Sequence, residues 1–297
     1  MDKWKHLFLS LSLFSALQSE DVEELSPSFF SGDLSVALDS FRSLPDGSWS
    51  GNNGGFSSLN LLMGLPDNQS KYSAQLGGSY GLYDWNGKGS NPTGNTKAVQ
   101  QQAFVTTGFS RITSDCSGVN AAIVYDWMWN KQFGVFGLHP ILDQVRGQVG
   151  YLFQQKNEIG LWGTIRAHTS HQNFSEIPVR FRAISQANLF WTHHFSNQAE
   201  TMLWAGTPYQ RGLMYTSGRA GNYIVGASFT APLTRSLSIF GHGSYMGSHS
   251  GSQSFNNYAA NVCFGISYAF GDSQEKVRPY LDLANNSNFL VDTNLNE

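Results

Sequence analysis

The sequence predicts an all-β fold: a transmembrane antiparallel up-and-down β-barrel of about 12 strands, with long outer loops and short periplasmic turns. The first reason is a period-two alternation of apolar and polar residues from about residue 33 to residue 270. The second is that long connections rich in Gly, Ser, Asn or Pro alternate with short ones, as in bacterial outer-membrane barrels. The third is a charged content of only 13%, about half the share typical of soluble domains.

The alternation places one strand in each of twelve intervals, many of them long enough for a tilted strand to cross a membrane. The predicted strands are 33–41, 54–64, 71–85, 98–111, 118–130, 142–154, 157–168, 180–195, 199–209, 222–234, 235–247 and 258–270. The last strand has the clearest pattern, in which one face carries Tyr258, Ala260, Val262, Phe264, Ile266, Tyr268 and Phe270. Because successive side chains of a strand point to opposite faces, each such stripe is one surface of a sheet.

A soluble, secreted sandwich or barrel is the competing all-β interpretation. The polar face argues against it, because a soluble sheet usually presents Lys and Glu to water. Here that face carries small or uncharged polar residues such as Ser73, Gln75, Gln102, Gln148 and Asn188. Such side chains suit a crowded, water-lined barrel interior.

The chain divides into a signal peptide at 1–19, an N-terminal periplasmic segment at 20–32, a β-barrel at 33–270 and a periplasmic polar tail at 271–297. The signal peptide is predicted from a basic start followed by an apolar run at 7–17 that is too short to span a bilayer. The tail does not alternate, and three arrangements stay open for it: disorder, plugging of the lumen, or docking on a partner. The predicted location is the bacterial outer membrane.

Three segments carry a resemblance to a known group of proteins: GQVGYLF at 147–153, NEIGLWGTI at 157–165 and ANNSNFLVDTN at 284–294. With them, the chain resembles an uncharacterised planctomycete-type family of outer-membrane β-barrels. The resemblance implies a porin-like barrel. The shared motifs are structural, so no catalytic residues come with it.

Arginines form the most informative polar set. The strand phases put Arg146, Arg166 and Arg182 on the inward face of three consecutive predicted strands, with Arg180 on the same face as Arg182. One hypothesis is a basic ladder at a constriction, which would favour anionic solutes. The other is a structural network that fills a closed lumen. In either case the residues expected to line the interior are Arg146, Arg166, Arg180, Arg182, Asp126, Gln148 and Glu158.

One constellation suggests catalysis. His242 and Ser244 share a strand face, and Asn256 follows, which is similar to the catalytic arrangement of outer-membrane phospholipases. The Asn-Gly that follows the serine in that family is replaced here by Tyr245-Met246. We therefore predict no enzymatic activity and keep these three residues as the alternative.

The predicted function is passive diffusion of small hydrophilic solutes, with anion preference as an option. The alternatives are a phospholipase-like enzyme and a structural or adhesion barrel without transport. No cofactor or metal site is predicted, because no Cys or His cluster has metal-ligand spacing. The expected partners are outer-membrane lipids and the solutes themselves. Without a Lys/Arg block, nucleic acid is not an expected partner, and homo-oligomerisation stays open.

Overall fold

The computed structural model describes residues 30–43, 51–64, 72–83, 99–113, 117–134, 137–210, 212–213, 220–247, 258–271 and 289–293. The predicted signal peptide 1–19 lies outside these residues, as do most of the predicted segments 20–32 and 271–297. No helix in the described part of the chain is long and apolar enough to cross a membrane.

Twelve strands close into an antiparallel barrel, which confirms the predicted fold class. They are β1 (Phe30–Ser43), β2 (Gly51–Gly64), β3 (Tyr72–Tyr83), β4 (Gln100–Arg111), β5 (Gly118–Lys131), β6 (Ile141–Phe153), β7 (Asn157–Arg166), β10 (Gln186–His194), β11 (Glu200–Pro208), β12 (Ile224–Pro232), β13 (Leu237–Met246) and β14 (Ala259–Gly271). Each pairs with the next along the chain, β7 pairs with β10, and β1 closes the ring by pairing with β14 over Ser31–Ser43.

Long and short connections alternate between the two ends of the barrel. The longer ones include 84–99, 167–185, 209–223 and 247–258, and this end is called the loop end below. The shorter ones include 112–117, 154–156, 195–199 and 233–236, and this is the turn end. Both β1 and β14 have their outer chain ends, Phe30 and Gly271, at the turn end.

Three further strands lie outside the ring of twelve and pack against its inner face at the loop end. They are β8 (Thr169–Phe174), β9 (Ile177–Ala183) and β15 (Val291–Thr293), and they form a small sheet in the order β15-β9-β8. Phe181 and Val291 pack in one apolar cluster with Met128 and Leu142, which point inward from β5 and β6. Residues 179–183 of β9 and the segment 289–293 therefore occupy the lumen in its loop-end half, and with the more exposed β8 they are called the plug below.

The predicted strand 180–195 was wrong over its first part. Only Gln186–His194 belongs to the barrel wall, whereas 180–183 belongs to β9 of the plug. The chain leaves the wall at Ile184 and Ser185. There the backbone of Ile184 and the side chain of Ser185 form hydrogen bonds that do not belong to the ladder between β7 and β10. Ile184 N donates to Leu290 O at 2.9 Å, and Arg166 N donates to Ser185 Oγ at 3.0 Å. Arg180 and Arg182 have the same even parity as Gln186 and Asn188 beyond the break, and only Ile184 and Ser185 reverse the order, so the alternation alone suggested one continuous strand.

The outward face is apolar on every side of the barrel. Its exposed aliphatic and aromatic side chains include Leu34, Val36, Leu38, Leu76, Ile123, Val149, Leu161, Leu189, Leu203, Val225, Val262, Phe264 and Ile266. Trp129, near the loop end of β5, pairs with Ile141 of β6. Tyr151 lies ten residues after Ile141 along β6, towards the turn end. Ten residues of a tilted strand rise about 25 Å, which is the height of the apolar band between aromatic girdles in outer-membrane barrels.

Candidate functional site

The lumen is the candidate site because the inward positions carry most of the buried polar groups. These include Ser35, Asn60, Gln75, Gln102, Thr106, Asn120, Gln144, Gln186, Asn188 and Asn261. Their strict alternation with the apolar outer face follows from the period of two along each strand. Buried polar groups need hydrogen-bond partners, so the bonds that they form determine what the lumen can bind.

Asp126 and Arg146 form a closed network on the wall. Asp126 is completely buried on β5, and its two oxygens accept bonds from Arg146 Nε and Nη2, both at 3.1 Å. Thr106 Oγ1 and Gln144 Nε2 donate to the same carboxylate at 2.7 and 2.9 Å. A two-point Arg–carboxylate pair compensates both charges where they lie. Arg146 is therefore held against the wall by an internal counter-charge.

Arg182 and Asp292 form a second buried pair, inside the plug. Arg182 Nε and Nη2 each lie 2.9 Å from Asp292 Oδ2, and the backbone N of Leu213 donates to the same oxygen at 2.9 Å. Burial raises the pKa of Asp292, although the neighbouring Arg182 acts in the opposite direction. The pair joins the β9 strand to the C-terminal segment.

Of the four predicted arginines, only Arg146 and Arg166 lie on the barrel wall. Arg180 and Arg182 lie on β9, because residues 180–183 belong to the plug and not to a wall strand. Arg166 is half-buried at the loop end of β7, and its Nη1 has no hydrogen-bond partner among the described residues. The predicted ladder across three consecutive wall strands is therefore not the observed arrangement.

Gln148 and Glu158 also face inward, but nearer the turn end. Gln148 is half-buried on β6, and Glu158 is buried on β7, where Asn120 Nδ2 donates to its Oε2 at 2.7 Å. Glu158 lies eight positions from Arg166 on the same strand, so the structure does not bring it to the arginines.

His242 and Ser244 point into the lumen from β13 and are both buried. The imidazole of His242 stacks on the indole of Trp204, with ring centroids 5.4 Å apart. Ser244 Oγ has no hydrogen-bond partner among the described residues, so the bond between nucleophile and base that catalysis requires is not formed. Asn256 lies outside the described residues.

A cavity separates the plug from the opposite wall. Its volume is about 60 Å³, and it is partly open to solvent. Its wall comes from β1 to β4 and the loop end of β14, and Phe289, Leu290 and Val291 close it on the plug side. Asp39 is the only Asp, Glu, Lys or Arg among the described lining residues.

Asp39 is held by two neighbours at the edge of this cavity. Tyr83 Oη donates to its Oδ2 at 2.9 Å, and Asn261 Nδ2 donates to its Oδ1 at 2.7 Å. The Tyr83 ring can reach Asp39 because it passes over two glycines. A Cβ on Gly54 would lie 2.6 Å from Tyr83 Cδ1, and a Cβ on Gly81 would lie 2.7 Å from Tyr83 Cε2.

Sequence reasoning did not select Asp39, Tyr83 and Asn261 as functional residues. One signal could have found them: Asp39 is an acidic residue in the inward phase of β1, which it shares with the buried Ser35 and Ala37. A charged side chain on a lumen face needs a partner, so its neighbours on the adjoining strands are candidates for a polar site. In the register of β1 with β14, Asp39 pairs with Cys263 and Phe41 pairs with Asn261. Asn261 therefore lies close to Asp39 on the adjoining strand and is one of these candidates.

Among three solved structures that are similar to the chain, one reaches a TM-score of 0.50 and supports the fold. An outer membrane channel from Pseudomonas putida F1 shares 10% identity, with 85% of this chain and 100% of that chain covered and a TM-score of 0.50. A FadL homologue from Pseudomonas aeruginosa shares 7% identity, with coverages of 82% and 90% and a TM-score of 0.48. Outer membrane phospholipase A from Escherichia coli shares 8% identity, with coverages of 80% and 95% and a TM-score of 0.41. At such identities the likeness concerns the fold alone.

Comparison with sequences gives a family but no activity. No curated protein matches the chain. The sequence model of a family of unknown function, DUF6666, matches residues 29–291. Since this match spans most of the sequence and the whole barrel up to the plug strand β15, the chain belongs to the DUF6666 family.

Proposed function

We propose that this protein is a porin-like channel of the bacterial outer membrane, through which small hydrophilic solutes diffuse passively. The observation that carries the proposal is the cavity between the plug and the β1–β4 wall, a space inside the barrel with a polar and aromatic lining. The apolar outer face with aromatic residues towards both ends supports insertion in a bilayer.

The charge distribution favours neutral solutes over anions. Arg146 and Arg182 are paired with Asp126 and Asp292, so each positive charge is compensated within the lumen. A guanidinium that is paired with a carboxylate attracts few anions, because the electric field of the neutral pair falls off quickly with distance. Anion preference is kept as a second candidate because Arg166 Nη1 has no hydrogen-bond partner among the described residues.

The proposal assigns no catalysis to the barrel. A serine nucleophile needs a base within hydrogen-bond reach, and His242 instead stacks on Trp204. Both side chains face the lumen, whereas a phospholipase must present its nucleophile to membrane lipid. Purified protein is expected to leave phospholipid vesicles intact. Lipid hydrolysis that is lost in Ser244→Ala would overturn this part of the proposal.

Reconstitution tests the channel. Liposomes that contain the full chain are expected to swell in isotonic solutions of a neutral sugar, and planar bilayers are expected to show discrete conductance steps. In a KCl gradient the reversal potential reports ion preference, and we expect it to be close to zero. Absence of both swelling and conductance in correctly folded protein would refute the channel.

A substitution at Arg166 distinguishes a channel for neutral solutes from a channel for anions. Arg166→Gln removes an inward-facing arginine that has an unpartnered nitrogen, while Arg235→Gln alters an exposed arginine in the β12–β13 turn and serves as the matched control. If neutral solutes are the substrates, neither change alters the reversal potential. An anion-selective wild type that loses selectivity in Arg166→Gln alone would establish the anion channel instead.

A further inference from the structure

We propose that the place of the Asp292 carboxylate in the lumen is a binding site for the carboxylate of a small solute, which the chain fills with a side chain of its own. The groups that form it are the guanidinium of Arg182 and the backbone N–H of Leu213, and it is called the anion seat below. The inference goes beyond the channel proposal, because an anion can bind in the lumen whether or not solutes cross it.

Three donors of the anion seat converge on a single oxygen atom. Arg182 Nε, Arg182 Nη2 and Leu213 N each lie 2.9 Å from Asp292 Oδ2. Arg182 and Asp292 are only 9% and 3% exposed, so water has little access to these bonds. Hydrogen bonds to an ionised group are about twice as strong as those between neutral groups. The geometry is therefore that of a site built for an anionic oxygen.

A second arginine adds positive charge beside the anion seat. Arg166, at the loop end of β7, interacts electrostatically with both Arg182 and Asp292. One carboxylate thus stands among two guanidiniums, whereas Arg146 has Asp126 as a counter-charge of its own. A local excess of positive charge attracts anions and repels cations. The surroundings of the seat therefore select the same ligand class as its donors.

The present occupant belongs to a segment that is separate from the barrel wall. The strand β15 pairs with β9 through three residues, and Ile184 N donates to Leu290 O at 2.9 Å. None of these bonds is part of the ring of twelve strands. The segment 289–293 can therefore leave its place by local opening, without loss of any pairing in the wall.

Departure of this segment gives a free anion access to the seat. Phe289, Leu290 and Val291 close one side of a cavity that is partly open to solvent. While they are in place the seat is enclosed and filled, so a solute carboxylate and the Asp292 carboxylate exclude each other. The segment is thus a tethered competitor for the anion seat.

The donor set favours a carboxylate over neutral ligands. An amide or hydroxyl oxygen can accept the bonds from Arg182 and Leu213, but it brings no negative charge to a buried guanidinium. An uncompensated buried charge is strongly unfavourable. A small carboxylate reproduces both the bonds and the charge that Asp292 supplies.

Asp292→Ala in the full chain empties the seat, and formate is the probe. Formamide is a neutral molecule of nearly the same shape, and chloride controls for ionic strength. Binding is measured by ligand-observed NMR in detergent micelles, with folding checked by heat-modifiable migration on a gel. We expect saturable binding of formate, about tenfold or more tighter than that of formamide, because only formate forms charge-assisted bonds. Wild type should bind formate at least about tenfold more weakly than Asp292→Ala, since its seat is filled.

Two variants serve as controls. Thr293 is completely buried beside Asp292, and its Oγ1 has no hydrogen-bond partner among the described residues. Thr293→Ala therefore disturbs the packing of the same segment but keeps the carboxylate, and it should bind formate no better than wild type. Asp292→Ala combined with Arg182→Gln removes two of the three donors and should lose the formate binding of the single variant.

The inference is overturned if formamide binds Asp292→Ala as tightly as formate, or if wild type or the double variant binds formate as tightly as Asp292→Ala. If Asp292→Ala does not fold alone, its refolding yield becomes the measurement. Formate should then restore the folded band on the gel, and failure to do so, or equal recovery with formamide or chloride, would contradict the site. Formate binding without conductance would remove the channel and keep the site, whereas conductance without formate binding would do the reverse.

Discussion

Arg182 and Asp292 form a buried ion pair inside the barrel, although 110 residues separate them in the sequence. Both Nε and Nη2 of Arg182 lie 2.9 Å from Asp292 Oδ2, and Leu213 N donates to the same atom. The pair connects three parts of the chain: the lumenal hairpin, the β11–β12 connection and the C-terminal segment. It is thus the main polar contact that holds the segment 289–293 in the lumen.

Asp292→Ala is expected to release this segment. Removing one partner of a buried pair leaves an uncompensated charge, which costs about 3–5 kcal/mol. The three-residue strand β15 has few other bonds to offset that loss. Because Phe289, Leu290 and Val291 close one side of the cavity, their release should raise single-channel conductance in planar bilayers.

Two truncations serve as controls for Asp292→Ala. Deletion of 289–297 should raise conductance as the substitution does, whereas deletion of 294–297 should leave the conductance of the wild type unchanged. If removal of 289–297 does not alter conductance, then the segment does not restrict the channel.

Asp126 offers a second test, now of barrel stability. Asp126→Asn leaves Arg146 buried without its counter-charge, so the free energy of unfolding should fall by about 3–5 kcal/mol. The measurement is urea-induced unfolding in lipid vesicles. Arg235→Ala, at an exposed turn, should change the same quantity by no more than about 0.5 kcal/mol.

A double variant separates charge from packing at the same place. Asp126→Leu combined with Arg146→Met replaces the pair by apolar groups of similar size. It should recover part of the stability lost in Asp126→Asn, because no buried charge is left, while Thr106 Oγ1 and Gln144 Nε2 lose their acceptor. A double variant as unstable as Asp126→Asn would show that these lost hydrogen bonds or the altered packing, and not the lone charge, are responsible.

The barrel wall could be predicted from the sequence because its rule is local. Side chains alternate strictly along a strand, so the stripe from Tyr258 to Phe270 gave both the extent and the phase of β14. The contact between Asp126 and Arg146 was also predictable, since β5 and β6 are consecutive and their register follows from a single hairpin.

The plug could not be predicted, for two physical reasons. Alternation shows which residues share a face of a strand, but it does not show which strand is the hydrogen-bonded partner. Arg180 and Arg182 have the same even parity as Gln186, although they belong to β9 and not to the wall strand β10. A three-residue strand such as β15 has no periodicity to detect. The arrangement of the described tail residues, 289–293, corresponds to the lumen-plugging option among the three left open for 271–297.

Gly226 tests the packing of the aromatic residues in the lumen. A Cβ there would lie 2.1 Å from Cζ2 of Trp204, so Gly226→Ala must displace an indole that also stacks on His242. Overpacking of this kind costs about 1–3 kcal/mol. Unfolding in urea measures the loss, and near-ultraviolet circular dichroism should report the moved indole.

Gly243→Ala is the matched control on the adjoining strand. A Cβ at Gly243 would have its nearest neighbour at 3.9 Å, so the substitution should leave both stability and the aromatic spectrum close to those of the wild type. Equal effects at the two glycines would mean that loss of backbone flexibility, and not the Trp204 contact, determines the outcome.

Val36 tests whether the outer face meets lipid. Val36 is 62% exposed near the middle of β1, level with Ile266 in the register with β14. On a soluble barrel Val36→Arg would change the free energy of unfolding by no more than about 0.5 kcal/mol. At the midplane of a bilayer it should cost about 2–4 kcal/mol, because the guanidinium must leave water.

Met63→Arg, on the same outward surface but near the turn end, should cost at most about 1 kcal/mol in lipid vesicles. The difference between the two positions is the decisive quantity, since only a bilayer makes the cost of the same charge depend on depth.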